Sequence, residues 1–342
     1  MTEAALREIH AAPLSNTFGI AAHARRWIGV ADIDALPEAL RAGGREALLL
    51  GGGSNLLLVA PELDCAVQPL DARIQLVEDD GVRVRVRVAA GADWHGLVMH
   101  TLDKGWFGLE NLALIPGTAG AAPIQNIGAY GVEVMERITA VEVHDRISGE
   151  TRWWPHAACG FSYRESAFKA DPQRHAVLRV DFALSRVPQP AIGYAGLGEE
   201  LQAMGIREPS PRDVAAAVIA LRRRKLPDPA RIGNAGSFFK NPIVASATAD
   251  ALAAAHPDLP RFRTDHPDRY KLSAAWLIDA CGWKGHRDGD AGVSDRHALV
   301  LVNHGRASGA ELLALARRIA ASVQARFGVA IEPEPRLIGA RW

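Results

Sequence analysis

The run Ile115, Pro116, Gly117, Thr118, Ala119, Gly120, Ala121, Ala122, Pro123, Ile124, Gln125, Asn126, Ile127, Gly128, Ala129, Tyr130, Gly131 constrains this chain more than any other stretch. It carries too little side-chain volume to build a core of its own. Its main chain either packs as a tight crossover between sheets or lies against something flat and large, with Gln125 and Asn126 supplying amide hydrogen bonds. A second glycine-rich turn, Gly51, Gly52, Gly53, Ser54 and Asn55, separates two apolar runs, residues 47–50 and 56–59. That pattern reads as a buried strand, a tight turn and a second buried segment. Consecutive N–H groups in such a turn can form an anion-binding nest, although the same residues serve equally as a plain turn. The turn is not a dinucleotide fingerprint of the Rossmann type, because Leu56 stands where the third glycine belongs and no clear helix follows. It also lacks the Lys-Ser/Thr of a P-loop. A pyrophosphate in one turn and a planar ring against the other would together make a dinucleotide cofactor.

Elsewhere strands and helices mix. Residues 82–88 alternate Val and Arg, which places valines on one face of a half-buried strand and arginines on a solvated face. Residues 93–103 have helical character, residues 141–145 and 150–154 flank a Ser148-Gly149 turn as a hairpin, and residues 176–184 form a further strand. Ser210, Pro211 and Asp213 start a helix that runs to about Lys225 and stops at Pro227. Ser308 and Glu311 make a capping box for a late helix that buries Leu312, Leu315, Ile319 and Val323. Beyond Gly328 the chain is extended, with Pro333 and Pro335 excluding a central sheet strand and Glu332, Glu334 and Arg336 sharing one face. Hairpins among mixed elements indicate an α+β fold rather than a doubly wound parallel sheet.

Ser237 follows Gly233, Asn234, Ala235 and Gly236 and precedes Phe238, Phe239, Lys240, Asn241 and Pro242. There is no G-x-S-x-G elbow around it, since Ala235 and Phe239 lie two residues to either side, and no base sits next to it. A hydroxyl in that setting either satisfies its own loop or gives a proton; it is poorly placed to attack a carbonyl. Arg222, Arg223, Arg224 and Lys225 cluster at a helix C-terminus, where the dipole favours cations, and they lead directly into the Ser237 loop. Arg164 lies in a polar loop among aromatics, where an exposed pair with Glu165 is the plain reading.

At 342 residues the chain is long enough for two or three domains. Formal net charge is zero, so no long-range field recruits nucleic acid or an anionic membrane. The residues from Met1 to Glu8 lack the basic and apolar regions of a secretory leader, and no apolar run approaches a bilayer span. Cys65, Cys159 and Cys281 are odd in number and far apart, which excludes a disulfide framework or zinc ribbon and fits a reducing cytoplasm; no metal is expected. Cys281 reads as a small core residue.

These blocks, in this order, resemble the UDP-N-acetylenolpyruvoylglucosamine reductase (MurB) family of peptidoglycan synthesis. The resemblance runs from Asn16, Thr17, Phe18 and Gly19 to Pro335, Arg336, Leu337, Ile338 and Gly339. Its most specific parts are residues 108–117 (GLENLALIPG), residues 123–131, residues 225–229 (KLPDP) and the Ser237 loop. Tyr163, Arg164, Glu165 and Ser166, with the intact Tyr194 region, look like the longer, type I form. The resemblance implies an α+β fold with a two-subdomain FAD-binding part of the vanillyl-alcohol oxidase/p-cresol methylhydroxylase type and a smaller α+β substrate domain. The expected division is 1–70 and 71–218 for the two FAD subdomains and 219–342 for the substrate domain with the C-terminal catalytic segment.

It further implies non-covalent FAD, NADPH as hydride donor and UDP-N-acetylglucosamine enolpyruvate as substrate, in a cytoplasmic monomer serving cell-wall synthesis, cell shape and division. Gly51, Gly52, Gly53, Ser54 and Asn55, with Pro116, Gly117, Thr118, Gly120, Gln125, Asn126, Gly128 and Arg222, are expected at FAD. By carry-over Ser237 protonates the substrate C2, while Arg164 and Glu334 stabilise the enolic carboxylate, Glu334 only if it carries or shares a proton. Tyr194, Lys225 and Asn241 match substrate-contacting positions, with Tyr130, His297 and Arg336 as further substrate candidates. Three departures stand out. Ala119, Ala121 and Ala122 replace serines frequent in relatives, His297 stands where several have Gln, and Pro335 stands where Val is common. The competing readings are an FAD oxidase with another small substrate, which has no use for Lys225, and a flavin-free nucleotide-binding or scaffold protein.

Overall fold

Alternation in residues 82–88 becomes the strand Arg83–Ala89, with Val84, Val86 and Val88 all buried. The structure, a computed structural model, describes residues 5–342. Met1 to Ala4, part of the stretch read for a leader, lie outside the described residues. The chain divides into two compact units.

The first unit comprises the chain through Pro13, His23–Gly52 and Leu63–Arg222. Its centre is a five-stranded antiparallel sheet in the order Thr151–Pro155, Ile138–Asp145, His175–Ser185, Arg83–Ala89, Ile74–Asp79. The expected hairpin is its edge, with Val141 opposite Trp154. Register sets Val180 against Val88 and Phe182 against Val86, so one face of the sheet is continuously apolar. Trp94, Leu97 and Val98 of helix Trp94–Asp103 and Val214, Val218 and Leu221 of helix Pro211–Lys225 pack in the same core. Asp93 caps the first of these helices through the Gly96 N–H, and Ser210 with Asp213 starts the second. Ala119, Ala122 and Ile127 of the glycine-rich run contribute to that core, so the run is anchored by its few apolar side chains. On the other face, Ala176 and Leu178 join a second cluster with Ile28, Val30, Ile33, Leu36 and Val67. That cluster underlies a four-stranded sheet in the order Leu6–Pro13, His23–Val30, Glu62–Pro69, Leu48–Leu49.

The arginine face of Arg83–Ala89 departs from expectation, because only Arg83 is openly exposed. Arg87 forks onto both carboxylate oxygens of Asp181 at 2.8 and 2.9 Å and lies 4.1 Å over the Trp153 ring. Arg85 reaches Glu78 and Asp181 at 3.3 and 3.7 Å. The cause is register: Asp181 stands directly opposite Arg87 on the neighbouring strand, and its side chain is only 2 % exposed. A buried carboxylate needs such a partner.

The second unit gathers Leu14–Ala22, Gly53–Glu62 and Arg223–Trp342. Two N-terminal segments therefore fold with the C-terminal third. Buried Asn303 stitches the first of them in, donating through Nδ2 to the Phe18 carbonyl at 3.0 Å, while the Asn234 N–H donates to the Thr17 carbonyl at 2.8 Å. Leu56–Leu58 pairs in parallel with Arg336–Ile338, which places the extended C-terminal segment in a two-stranded sheet, compatible with its prolines. Two three-stranded sheets complete the unit, one of Ile243–Ala245, Arg269–Leu272 and Arg261–Arg263, the other of Arg287–Asp288, Ala291–Val293 and Leu301–Asn303. Helix Gly309–Phe327 has the expected capping box and buried side. Cys281 is the half-buried C-cap of helix Ala274–Ala280, not a core residue.

A Cβ on Gly309 would collide with the Leu58 carbonyl oxygen. Gly→Ala at the start of a helix ordinarily stabilises by up to ~1 kcal/mol. Here overpacking against backbone reverses the sign, and Gly309→Ala is expected to destabilise the fold by about 1–3 kcal/mol. A denaturant midpoint shifted upward would contradict this.

Candidate active site

Within the first unit the two glycine-rich turns meet. A Cβ on Gly52 would sit 3.1 Å from the Gly117 Cα, and one on Gly51 would sit 2.9 Å from Thr118 Oγ1, so side chains at these positions would force the turns apart. Gly120 packs against Ala90 and donates its N–H to the Ala90 carbonyl at 3.0 Å. The Gly51, Gly117 and Thr118 carbonyls of the paired turns are taken up by the protein. Gln68 Nε2 donates to the Gly51 carbonyl at 3.0 Å, the Trp94 N–H donates to that of Gly117 at 3.0 Å, and the Ala121 and Ala122 N–H groups donate to that of Thr118. The N–H groups of Gly51, Gly52, Gly117 and Thr118, in contrast, reach no acceptor among the described residues. A surface whose oxygens are consumed and whose N–H groups are not is a site for an anion.

Arg222 adds charge to this unit. Its Nε donates to the Leu114 carbonyl at 3.2 Å, and burial pushes its pKa down, opposed only by the Tyr130 hydroxyl. Among the described residues no carboxylate pairs with it, so its charge has no ionic partner there.

Arg164 is half-buried and positioned by the later part of the same run. Its Nη1 donates to the Asn126 carbonyl at 3.2 Å and its Nη2 to the Gly128 carbonyl at 2.6 Å. A Cβ at Gly128 would lie 2.9 Å from Nη1. The Glu165 carboxylate takes Lys169 as a partner at 3.2 Å. Asn126 corrects one expectation. Its amide is directed into the protein, with Nδ2 donating to Glu133 and the Ser162 carbonyl and Oδ1 accepting from the Met135 N–H. That side chain is a buried brace, and only its main chain faces Arg164. Tyr130 and Tyr194 stack edge to face with centroids 5.3 Å apart, and buried Asn111 ties the Tyr130 and Ala191 carbonyls together. Gln125 is half-buried beside this brace.

Within the second unit Ser237 and Glu334 are brought together through main chain. The Phe238 N–H donates to the Leu299 carbonyl at 2.7 Å, while its own carbonyl accepts the Glu334 N–H at 2.7 Å. Phe238 and Phe239 are fully buried and anchor the loop from below. Asn234, also buried, holds the approach by accepting the Gly236 N–H and donating to the Pro227 and Ile232 carbonyls. The Ser237 hydroxyl hydrogen-bonds no described residue, so no general base is set against it. Asn55 lies beside the same C-terminal segment, accepting the Arg336 N–H at 3.1 Å, and Gly53 of the same turn accepts the Thr17 N–H; Ser54 is half-buried between them. Glu332 is exposed and faces Lys240 at 3.9 Å.

His297 Nδ1 accepts the Leu299 N–H at 3.3 Å, which leaves the proton on Nε2. Burial, then the Lys225 and Lys284 charges, push its pKa below the ordinary 6.5, so the ring is neutral near neutral pH. Asn241 uses Oδ1 to accept the Ala274 N–H at 2.9 Å, which starts a helix and leaves its Nδ2 side for other work.

Residues 228–338 match the family described as UDP-N-acetylenolpyruvoylglucosamine reductase, C-terminal domain, and residues 29–153 match the FAD binding domain family. The chain is 53 % identical over 340 residues to the UDP-N-acetylenolpyruvoylglucosamine reductase of Xylella fastidiosa strain 9a5c, covering 98 % of this chain and 97 % of that one. It is 50 % identical over 330 residues to that of Xanthomonas campestris pv. campestris strain B100, covering 96 % and 94 %. The chain belongs to the UDP-N-acetylenolpyruvoylglucosamine reductase family. The crystal structure of the Thermus caldophilus enzyme of this family superposes with a TM-score of 0.66 at 26 % identity, covering 97 % of this chain and 98 % of that one. The α+β, FAD-binding fold expected from the resemblance therefore stands, and the protein is an FAD-dependent oxidoreductase.

The residues present fit FAD. The family's cofactor carries a pyrophosphate, and the bonded carbonyls, unbonded N–H groups and carboxylate-free Arg222 of the first unit are complementary to one. Sequence reasoning missed Asn111, Glu133 and Lys169, which brace the site. Only Lys169 left a local signal, its i,i+4 spacing from Glu165. No helix among the described residues is long and apolar enough to cross a membrane, and no cluster of potential metal ligands occurs among them.

Proposed function

We propose that this protein reduces UDP-N-acetylglucosamine enolpyruvate to UDP-N-acetylmuramate with NADPH as the reductant, acting in the cytoplasm as a monomer. The observation that carries this reading is a near-full-length family match in which Ser237, Arg164 and Glu334 are all present. FAD, held by the two glycine-rich turns and Arg222, would supply hydride chemistry at the enolpyruvyl C3, with NADPH as the source of the reducing equivalents. The chain's own residues then manage the charge and proton. Arg164, already held as a fork by two carbonyls, grips the substrate carboxylate and grows more effective as enolic charge accumulates. Ser237 gives its proton to C2. An aliphatic hydroxyl is a weak acid, but a carbanion-like carbon is basic enough to take its proton, and the lack of an adjacent base supports donation over nucleophilic attack. Glu334, tied to the Ser237 loop through Phe238, assists only if it carries or shares a proton.

Cofactor contacts are assigned to Gly51, Gly52, Gly53, Ser54, Asn55, Pro116, Gly117, Thr118, Gly120, Gln125, Gly128 and Arg222, and to the Asn126 main chain. Substrate contacts are assigned to Tyr130, Tyr194, Lys225, Asn241, His297 and Arg336. The division 1–70, 71–218 and 219–342 is proposed as the functional one, although Leu14–Ala22 and Gly53–Glu62 of its first part fold in the second compact unit. Anaerobic mixing tests the whole reading: NADPH should bleach the flavin, and the enolpyruvyl UDP-sugar should restore its colour. Bleaching without restoration would point to a different substrate.

His297 yields a prediction with a sign. An anionic diphosphate placed beside Lys225 and His297 opposes the effects that lower the histidine pKa. Substrate binding should then take up a proton, so KM for the UDP-sugar should fall as the pH is lowered from about 8 to about 6. The His297→Gln variant should lose that slope. A slope that survives the substitution would remove His297 from the substrate site.

A further inference from the structure

We propose that Lys169 is a positioning residue for Arg164, its ammonium pinning the Arg164 main chain so that the guanidinium stays aimed at the substrate carboxylate. The inference rests on the reading of Arg164 given above. Lys169 Nζ donates to the Arg164 carbonyl at 2.6 Å, with Glu165 Oε1 at 3.2 Å as its second partner. The lysine side chain is only 22 % exposed, so this is not a loose surface pair.

Arg164 has φ +58°, a left-handed conformation that a residue with a Cβ disfavours. Such a conformation persists only where its surroundings impose it. The Ser162 and Glu165 main chains close the turn around it with reciprocal N–H···O=C bonds at 3.1 Å, and two further sets of contacts hold it from opposite ends. The Asn126 and Gly128 carbonyls hold the guanidinium, and Lys169 holds the backbone. Lys169 is itself fixed, because Ser166 caps its short helix, accepting the Lys169 N–H at 3.2 Å and donating its hydroxyl to the Ile124 carbonyl. The glycine-rich run thus touches both the tip of Arg164 and the base of its loop. Without the ammonium the Ser162–Glu165 bonds still close the turn and the guanidinium keeps its acceptors, but the Arg164 carbonyl loses the Lys169 donor and its peptide can tilt, which draws the fork out of line.

The test uses the FAD-loaded enzyme with Lys169→Met, which keeps the stem and removes the donor, and Lys169→Arg, which restores a cationic donor. Reoxidation of the flavin by the enolpyruvyl UDP-sugar should slow on the order of 10²-fold in Lys169→Met, as expected for a misplaced catalytic group. Reduction by NADPH, FAD content and the thermal unfolding midpoint of the apoprotein should be nearly unchanged, and Lys169→Arg should recover most of the rate. The double variant Arg164→Ala/Lys169→Met should be no slower than Arg164→Ala alone, since both act through one group. Equal slowing of both half-reactions, loss of FAD or of the fold, or full additivity in the double variant would make Lys169 a structural anchor and overturn the proposal. If Arg164→Ala slows reoxidation while Lys169→Met does not, the proposal alone fails. If Arg164→Ala does not slow it, the reading of Arg164 fails first.

Discussion

Ser237→Ala is expected to slow reoxidation of the reduced flavin by substrate by roughly 10²–10⁴-fold, the range typical of a lost general acid. Flavin reduction by NADPH should proceed at the wild-type rate, because no proton is needed at C2 in that half-reaction. The substitution removes one oxygen from a loop whose shape is set elsewhere. Phe238 and Phe239 are buried, Phe238 is pinned on both sides by Leu299 and Glu334, and Asn234 fixes the approach. The hydroxyl itself holds no described residue in place, so its loss should leave the fold intact. Two single-turnover measurements on the same preparation decide the matter. Equal slowing of both half-reactions would make Ser237 a structural loop residue, the plain reading of its glycine-rich setting.

Arg164→Lys is the second substitution with a large expected effect. It keeps the charge and removes the planar fork. Lysine cannot donate to the Asn126 and Gly128 carbonyls and to a carboxylate in one fixed plane. A loss of roughly 10²–10³-fold is expected in the substrate half-reaction, comparable to removal of one preorganised donor from a developing oxyanion. Most of it should appear in the rate rather than in KM, because the charge on the carboxylate group grows toward the enolic state. A change confined to KM would mean that Arg164 binds ground state and transition state equally.

Much of this fold was legible locally. The helix Pro211–Lys225 begins at the Ser210-Pro211 signal and ends before Pro227 because caps and proline act through nearest neighbours. The capping box of Ser308 and Glu311 is local in the same sense, as is the alternation that buries Val84, Val86 and Val88. Of the arginines on the other face, Arg83 is solvated as read, but Arg87 is not, since its partner Asp181 is 94 residues away and only strand register brings the two opposite each other. The Asn126 amide was not legible for a related reason. An amide in a glycine-rich run looks available to a ligand until Glu133, Ser162 and Met135 fold around it.

By itself the sequence determined the chemical inventory: two glycine-rich turns able to lend main chain to a cofactor, a serine without a base, an arginine in an aromatic loop and a late acidic segment. These follow from residue type and short-range spacing, which backbone sterics and capping translate directly into local structure. Only the tertiary structure decided which face of the paired turns is rich in donors, because that depends on Gln68 and Trp94 capturing their carbonyls from distant strands and helices. It also decided that Ser237 and Glu334 share one main-chain ladder, and that Arg164 is held at both ends, by the glycine run and by Lys169. Contacts of that kind form only when chain closure and burial are satisfied together, and no local pattern encodes them.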